Sequence, residues 1–196
     1  MKICATHEIT NLLMVASQIT QILMQKGLRM IYQMDQKLFM MLYKKAESNR
    51  VLRSFMRGAT LLSSKVFAVI YGLYILTLSV SRDERLLPFL IGPALSLLFV
   101  SLVRRFFKRK RPFETMDIEP FVSHEIGGSF PSKHTSSAFV IAASILFINP
   151  LVGWIALALA LLTGISRIMV GVHYPLDIFG GMVIGLIFSC VAFRVL

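Results

Sequence analysis

Cysteine is almost absent from this chain: two residues, Cys4 and Cys190, in 196. They lie far apart and Cys190 sits in an apolar run, so they mark neither a disulfide framework nor a metal–thiolate cluster. Acidic charge is scarce too, with 10 Asp and Glu against 21 Lys and Arg and a formal net charge of +11. Charged residues of either sign make up only 16%, too few for the solvated surface of an ordinary globular domain. There is no internal repeat, no low-complexity tract and no linker of domain size. The opening residues lack the pattern of a cleaved signal peptide: only Lys2 precedes the apolar part, and Thr10, Asn11, Gln18, Thr20 and Gln21 interrupt it.

What the chain does have is apolar sequence, 56% of its residues, which identifies an integral membrane protein of all-α class. The length suits a single domain. Spans are expected at about 59–81, 86–103, 134–148, 151–166 and 176–196, with Lys65 near the start of the first able to snorkel. Arg82-Asp-Glu-Arg85 and Asn149-Pro150 supply tight turns between them. Ahead of these spans, Ile9, Leu12, Leu13, Ala16, Ile19, Ile22 and Leu23 recur at helical spacing. That segment lies on the membrane or crosses it as a sixth helix. Residues 25–57 mix Met and Phe with Lys37, Lys44, Lys45, Arg50, Arg53 and Arg57, the pattern of a basic interfacial helix. The expected organisation is residues 1–58 as N-terminal amphipathic and interfacial helices and 59–196 as a transmembrane catalytic bundle.

Three polar stretches stand out against this background. Ser166-Arg167 and His173-Tyr-Pro175-Leu-Asp177 join two apolar runs, and ionisable groups in such a chain are costly enough to be functional candidates. Pro175 suits the first position of a helix, which puts Asp177 in the first turn, favoured by the dipole. Its carboxylate can then accept the Nδ1–H of His173 and leave Nε2 as a nucleophile. Arg104-Arg105-Phe-Phe-Lys108-Arg109-Lys110-Arg111-Pro112 packs six cations into eight residues. It reads either as an anchor for anionic lipid or, through Arg104 and Arg111, as guanidinium forks for phosphate oxygens. Pro131-Ser132-Lys133-His134 opens a span. Ser132 is the expected N-cap, and the helix start is a ready anion site with His134 beside it as a proton donor. Asp117, His124 and Glu125 fit solvated-loop roles. Counting spans alone, the loop 104–133 and the loop 167–175 lie on one membrane face.

Taken together, the order R-x6-R-P, P-S-K-H and S-R-x5-H-x3-D closely resembles the type 2 phosphatidic acid phosphatase family. These are membrane lipid phosphate phosphatases related to vanadium haloperoxidases, with the pattern K-x6-R-P, P-S-G-H and S-R-x5-H-x3-D. The third motif matches in full at Ser166, Arg167, His173 and Asp177. Lys133 replaces the usual Gly of the second, and Arg104 the usual Lys of the first. Arginine keeps a positive phosphate ligand but not the geometry of a point charge. Neither departure removes a nucleophile or a proton-transfer group. The resemblance covers roughly residues 35–196.

It implies that His173 attacks phosphorus to form a phosphohistidine, that Asp177 orients its imidazole, and that His134 protonates the leaving oxygen and then activates water. Arg104, Arg111, Arg167, Ser132 and Lys133 would bind the phosphate, so no metal or other cofactor is expected. The implied partners are the bilayer and a lipid phosphate such as phosphatidic acid, phosphatidylglycerophosphate or undecaprenyl diphosphate, not nucleic acid; oligomeric state is open. Competing readings are vanadate-dependent haloperoxidase chemistry, against which the apolar spans argue, and a non-catalytic lipid-binding or lipid-translocating protein. The cations of 25–57 and 104–111 point the site toward the cytoplasm, whereas the resemblance implies the extracytoplasmic face. Since several of those cations are phosphate ligands in this reading, the second orientation is adopted.

Overall fold

The computed structural model describes residues 2–123 and 127–196, with side chains at position 21 and from 24 onward. The apolar stripe expected at 9–24 and the roles of His124 and Glu125 therefore lie outside the described residues. The chain is helical: α1 (Lys2–Ser48), α2 (Arg50–Val80), α3 (Leu86–Phe107), α4 (Pro112–Thr115), α5 (Lys133–Ile148), α6 (Pro150–Met169) and α7 (Pro175–Val195). It divides into two compact units, Met1–Leu38 and Phe39–Leu196. The first holds the leading part of α1 up to Leu38, with Met24, Leu28, Met30 and Met34 exposed.

In the second unit, α2, α3, α6 and α7 are long and apolar enough to cross a membrane, and α5, at 16 residues, is a shorter apolar helix. The first of these helices begins nine residues before the expected start near 59, at Arg50. Asn49 explains the boundary: its extended backbone breaks the chain and its side chain accepts the Leu52 N–H at 3.0 Å. Arg50, Arg53 and Arg57 then occupy the first turns of α2, and Gly58 does not interrupt it. The α6 boundary follows the same logic, with Asn149 accepting from Val152 at 3.2 Å and Pro150 at the first position. The turn after α2 is closed by Arg85, which grips Asp83 at 2.6 Å. That contact lowers the Asp83 carboxyl to about 2.

The helices α3, α6 and α7 surround α5, ten of whose residues are buried. Small residues set the spacing. A Cβ at Gly181 of α7 would stand 2.7 Å from the Ser132 carbonyl oxygen, so only glycine allows α7 to touch the start of α5. Buried hydroxyls pair across the same seams: Ser96 with Ser136 at 2.8 Å and Ser144 with Ser189 at 3.1 Å. Pro93, inside α3, cannot donate to the Phe89 carbonyl one turn back. The Tyr71 hydroxyl of α2 donates to that oxygen instead, at 3.3 Å. The outward face of α2, with Leu62, Val66, Val69, Leu73 and Leu76 exposed, has the composition of a lipid-facing surface.

Candidate active site

The site is built where α3, α5, α6 and α7 present one set of ends. After α6 the chain turns through Gly171, whose φ of 88° is strained for any residue with a side chain. A Cβ there would also lie 3.2 Å from the Tyr43 ring. Val172 N–H closes the turn on the Arg167 carbonyl at 3.2 Å, and His173 follows, fully buried. Pro175 takes the first position of α7 and Asp177 falls in its first turn. The Asp177 Oδ2 accepts the Tyr174 N–H at 2.8 Å and lies 3.4 Å from His173 Nδ1.

Arg111 enters from the other side of the chain. Its Nη1 donates to the Val172 carbonyl at 3.1 Å and meets His173 Nε2 at 3.5 Å, while its Nε donates to the Gly127 carbonyl at 3.3 Å. A guanidinium has no lone pair, so in this contact the imidazole Nε2 must be the acceptor and the ring proton sits on Nδ1. Burial lowers the His173 pKa to about 4, helped by the charges of Arg111 and Arg167 and opposed by the Asp177 carboxylate. The imidazole is therefore neutral at ordinary pH, with its Nε2 lone pair turned toward the cations.

Arg104 on α3 and Arg167 on α6 complete the positive set; each acts electrostatically on Arg111. Arg167 is buried and Arg104 half-buried. Ser132 caps α5 and accepts from both the N–H and the hydroxyl of Thr135, at 3.4 and 3.0 Å. Its own O–H is left to donate, and its N–H donates to the Asp177 carbonyl at 2.9 Å. Thus Arg111, Ser132, His173 and Asp177 are joined by direct bonds, with Arg104 and Arg167 close in charge. Lys133 and His134 occupy the first turn of α5 and line a largely apolar cavity of about 430 Å³ with Phe67, Tyr71, Leu97 and Ile141.

Residues that sequence reasoning did not single out also reach the site. Arg109 Nη1 donates to Asp177 Oδ1 at 2.8 Å, and its guanidinium lies over the Tyr174 ring at 4.3 Å. Ser129, fully buried, donates through Oγ to Asp177 Oδ2 and stands 3.3 Å from His173 Nδ1. Thr60 of α2 donates to the Ser166 hydroxyl at 2.9 Å, tying that helix to the residue before Arg167.

Comparison with known proteins gives consistent matches. A family model described as the PAP2 superfamily matches residues 85–196. The undecaprenyl-diphosphatase BcrC of Bacillus subtilis (strain 168) is 32% identical over 162 residues, 82% of this chain and 83% of that protein. Among solved structures, Aquifex aeolicus LpxE superposes with a TM-score of 0.69 at 28% identity, covering 81% of this chain and 93% of its own. A transmembrane PAP2 type phosphatidylglycerolphosphate phosphatase from Bacillus subtilis gives 0.62 at 27% identity, covering 80% and 83%.

Proposed function

The chain belongs to the PAP2 superfamily, a multi-pass membrane phosphatase by its helices and its relatives, and from that premise we propose that it hydrolyses the diphosphate of a polyprenyl lipid through a phosphohistidine. The observation that carries the chemistry is the buried, neutral His173 with Nε2 facing Arg111 and Nδ1 facing Asp177. The likeness to an undecaprenyl-diphosphatase over four-fifths of both chains supports the substrate.

Arg104, Arg111, Arg167 and the Ser132 hydroxyl hold the terminal phosphoryl group, with Lys133 contributing a further cation. His173 Nε2 attacks phosphorus in line with the leaving oxygen; the P–N bond forms as the P–O bond breaks. His134 gives its proton to the leaving lipid phosphate, then removes a proton from the water that splits the phosphohistidine to orthophosphate. The fixed guanidinium groups stabilise the equatorial oxygens, the part a magnesium ion plays in other phosphoryl-transfer enzymes. Turnover is therefore metal-independent. The lipid tail approaches laterally along the apolar cavity beside Lys133 and His134.

The site faces the extracytoplasmic side in this account. Impermeant labelling of single cysteines placed in loop 113–128, after replacement of Cys4 and Cys190, tests the orientation on intact cells. Rapid quenching with terminally 32P-labelled undecaprenyl diphosphate tests the chemistry. The expected result is a base-stable, acid-labile protein label that His173→Ala abolishes. Undiminished turnover in that variant would overturn the mechanism.

A further inference from the structure

Resting on the phosphohistidine reading, we propose that Arg109 and Ser129 are positioning residues which share the Asp177 carboxylate between them and so set the tautomer and basicity of His173. Asp177 is fully buried, and its oxygens divide their work. Oδ1 receives Arg109 Nη1 at 2.8 Å. Oδ2 receives the Ser129 hydroxyl and the Tyr174 N–H, and stands 3.4 Å from His173 Nδ1. The Ser129 oxygen, having donated its proton to Asp177, is an acceptor at 3.3 Å from the same Nδ1. The imidazole proton is thus shared between a hydroxyl oxygen and a carboxylate whose charge Arg109 partly balances. The nucleophile keeps the Nδ1–H form without being drawn to the imidazolium.

A backbone hydrogen bond ties the two residues together. The Ser129 N–H donates to the Arg109 carbonyl at 2.7 Å. Arg109 follows Lys108, whose left-handed φ of 38° turns the chain out of α3 and directs the next side chain over Tyr174. The Tyr174 hydroxyl is itself paired with Thr115 at 2.7 Å, so the ring under the guanidinium is fixed. Within the basic run, Arg111 touches the nucleophile whereas Arg109 grips the residue that orients it. The segment carrying phosphate ligands is thereby locked to the segment carrying the nucleophile.

The charged groups around His173 fix the sign of the effect. Asp177 on α7 favours the imidazolium, and Arg111 and Arg167 disfavour it. Arg104 on α3 and Arg109 act through Asp177, while His134 stands on α5. With Arg109→Met, the Asp177 charge acts on the imidazole undiluted and His173 binds its proton more tightly. The acid limb of kcat/KM then moves to higher pH. Partners that orient metal-ligating histidines carry a roughly 10- to 100-fold effect, and by analogy a loss of that order is expected here in kcat. Ser129→Ala moves the limb the same way, and Arg109→Lys restores it by keeping the charge.

The test pairs pH–rate profiles on undecaprenyl diphosphate with 15N NMR of histidine-labelled protein in micelles. The four histidines of the chain can be assigned by single substitution. The expected result is an Nδ1–H tautomer for His173 in the wild type. Its titration should rise in Arg109→Met and Ser129→Ala but not in Arg109→Lys. An unchanged His173 titration and acid limb in both neutral variants would overturn the proposal, even if their thermal stability fell. If the wild type does not turn over but the NMR shifts are as expected, the phosphatase reading fails and the positioning role stands.

Discussion

A buried imidazole among arginines behaves differently from one in water, and His173 is such an imidazole. Its pKa of about 4 lies well below the ordinary 6.5, because burial and the Arg111 and Arg167 charges disfavour the imidazolium more than Asp177 favours it. In the proposed mechanism only the neutral ring attacks phosphorus, so the nucleophile would persist as pH falls through 6 and be lost as pH falls through the lowered value. A pH–rate profile should show no acid limb near 6.5 belonging to this group. Arg111→Lys is expected to cut kcat by on the order of 100-fold, measured by phosphate release, because an ammonium cannot serve Val172, Gly127 and a phosphate oxygen together. The pairing of His173 with Asp177 was legible because the two are four residues apart and a proline fixes the helix start between them. Arg109 was not. It stands in a run of six cations that look alike in sequence, and its partner Asp177 lies 68 residues further on. Ser129 was hidden in the same way, as one small residue of a glycine-flanked loop.

Elements hold these residues in place mainly through close approach. With the Phe89 carbonyl buried and Pro93 unable to reach it, Tyr71→Phe should leave that oxygen without its hydroxyl donor and cost about 1–3 kcal/mol. Thermal unfolding in detergent would register it as a lower midpoint. Gly181→Ala should push α7 from the Ser132 carbonyl, loosening the cap whose hydroxyl we propose binds phosphate. Loss of activity exceeding loss of folded protein is the expected signature, read by comparing phosphate release with thermal unfolding. Turns such as Asn149-Pro150 were legible because capping is local chemistry. The start of α2 was not, since the arginines at 50, 53 and 57 suggest an interface but do not by themselves end a helix. What separates α1 from α2 is one asparagine, its backbone extended and its side chain capping the second helix, an ordinary polar residue in the sequence.

At the scale of the whole molecule, the bundle gathers on one face the two loops that span counting had already assigned to the same side. Arg111 to Val172 and Arg109 to Asp177 are the bonds that join them. The apolar cavity beside His134, along which we propose that the lipid tail approaches, was not legible as a cavity because its lining comes from four separate helices. Filling it with Ser137→Phe should raise KM for a long-chain polyprenyl diphosphate and leave hydrolysis of a short, water-soluble diphosphate near wild type. The measurement that tests the central claim most directly is phosphate release by detergent-purified protein with a chelator present. Undecaprenyl diphosphate, phosphatidylglycerophosphate and phosphatidic acid would be compared, with His173→Ala alongside. The account predicts turnover that survives chelation, is fastest on the diphosphate and vanishes in the variant. A strict requirement for Mg²⁺, or wild-type turnover without the His173 imidazole, would contradict it.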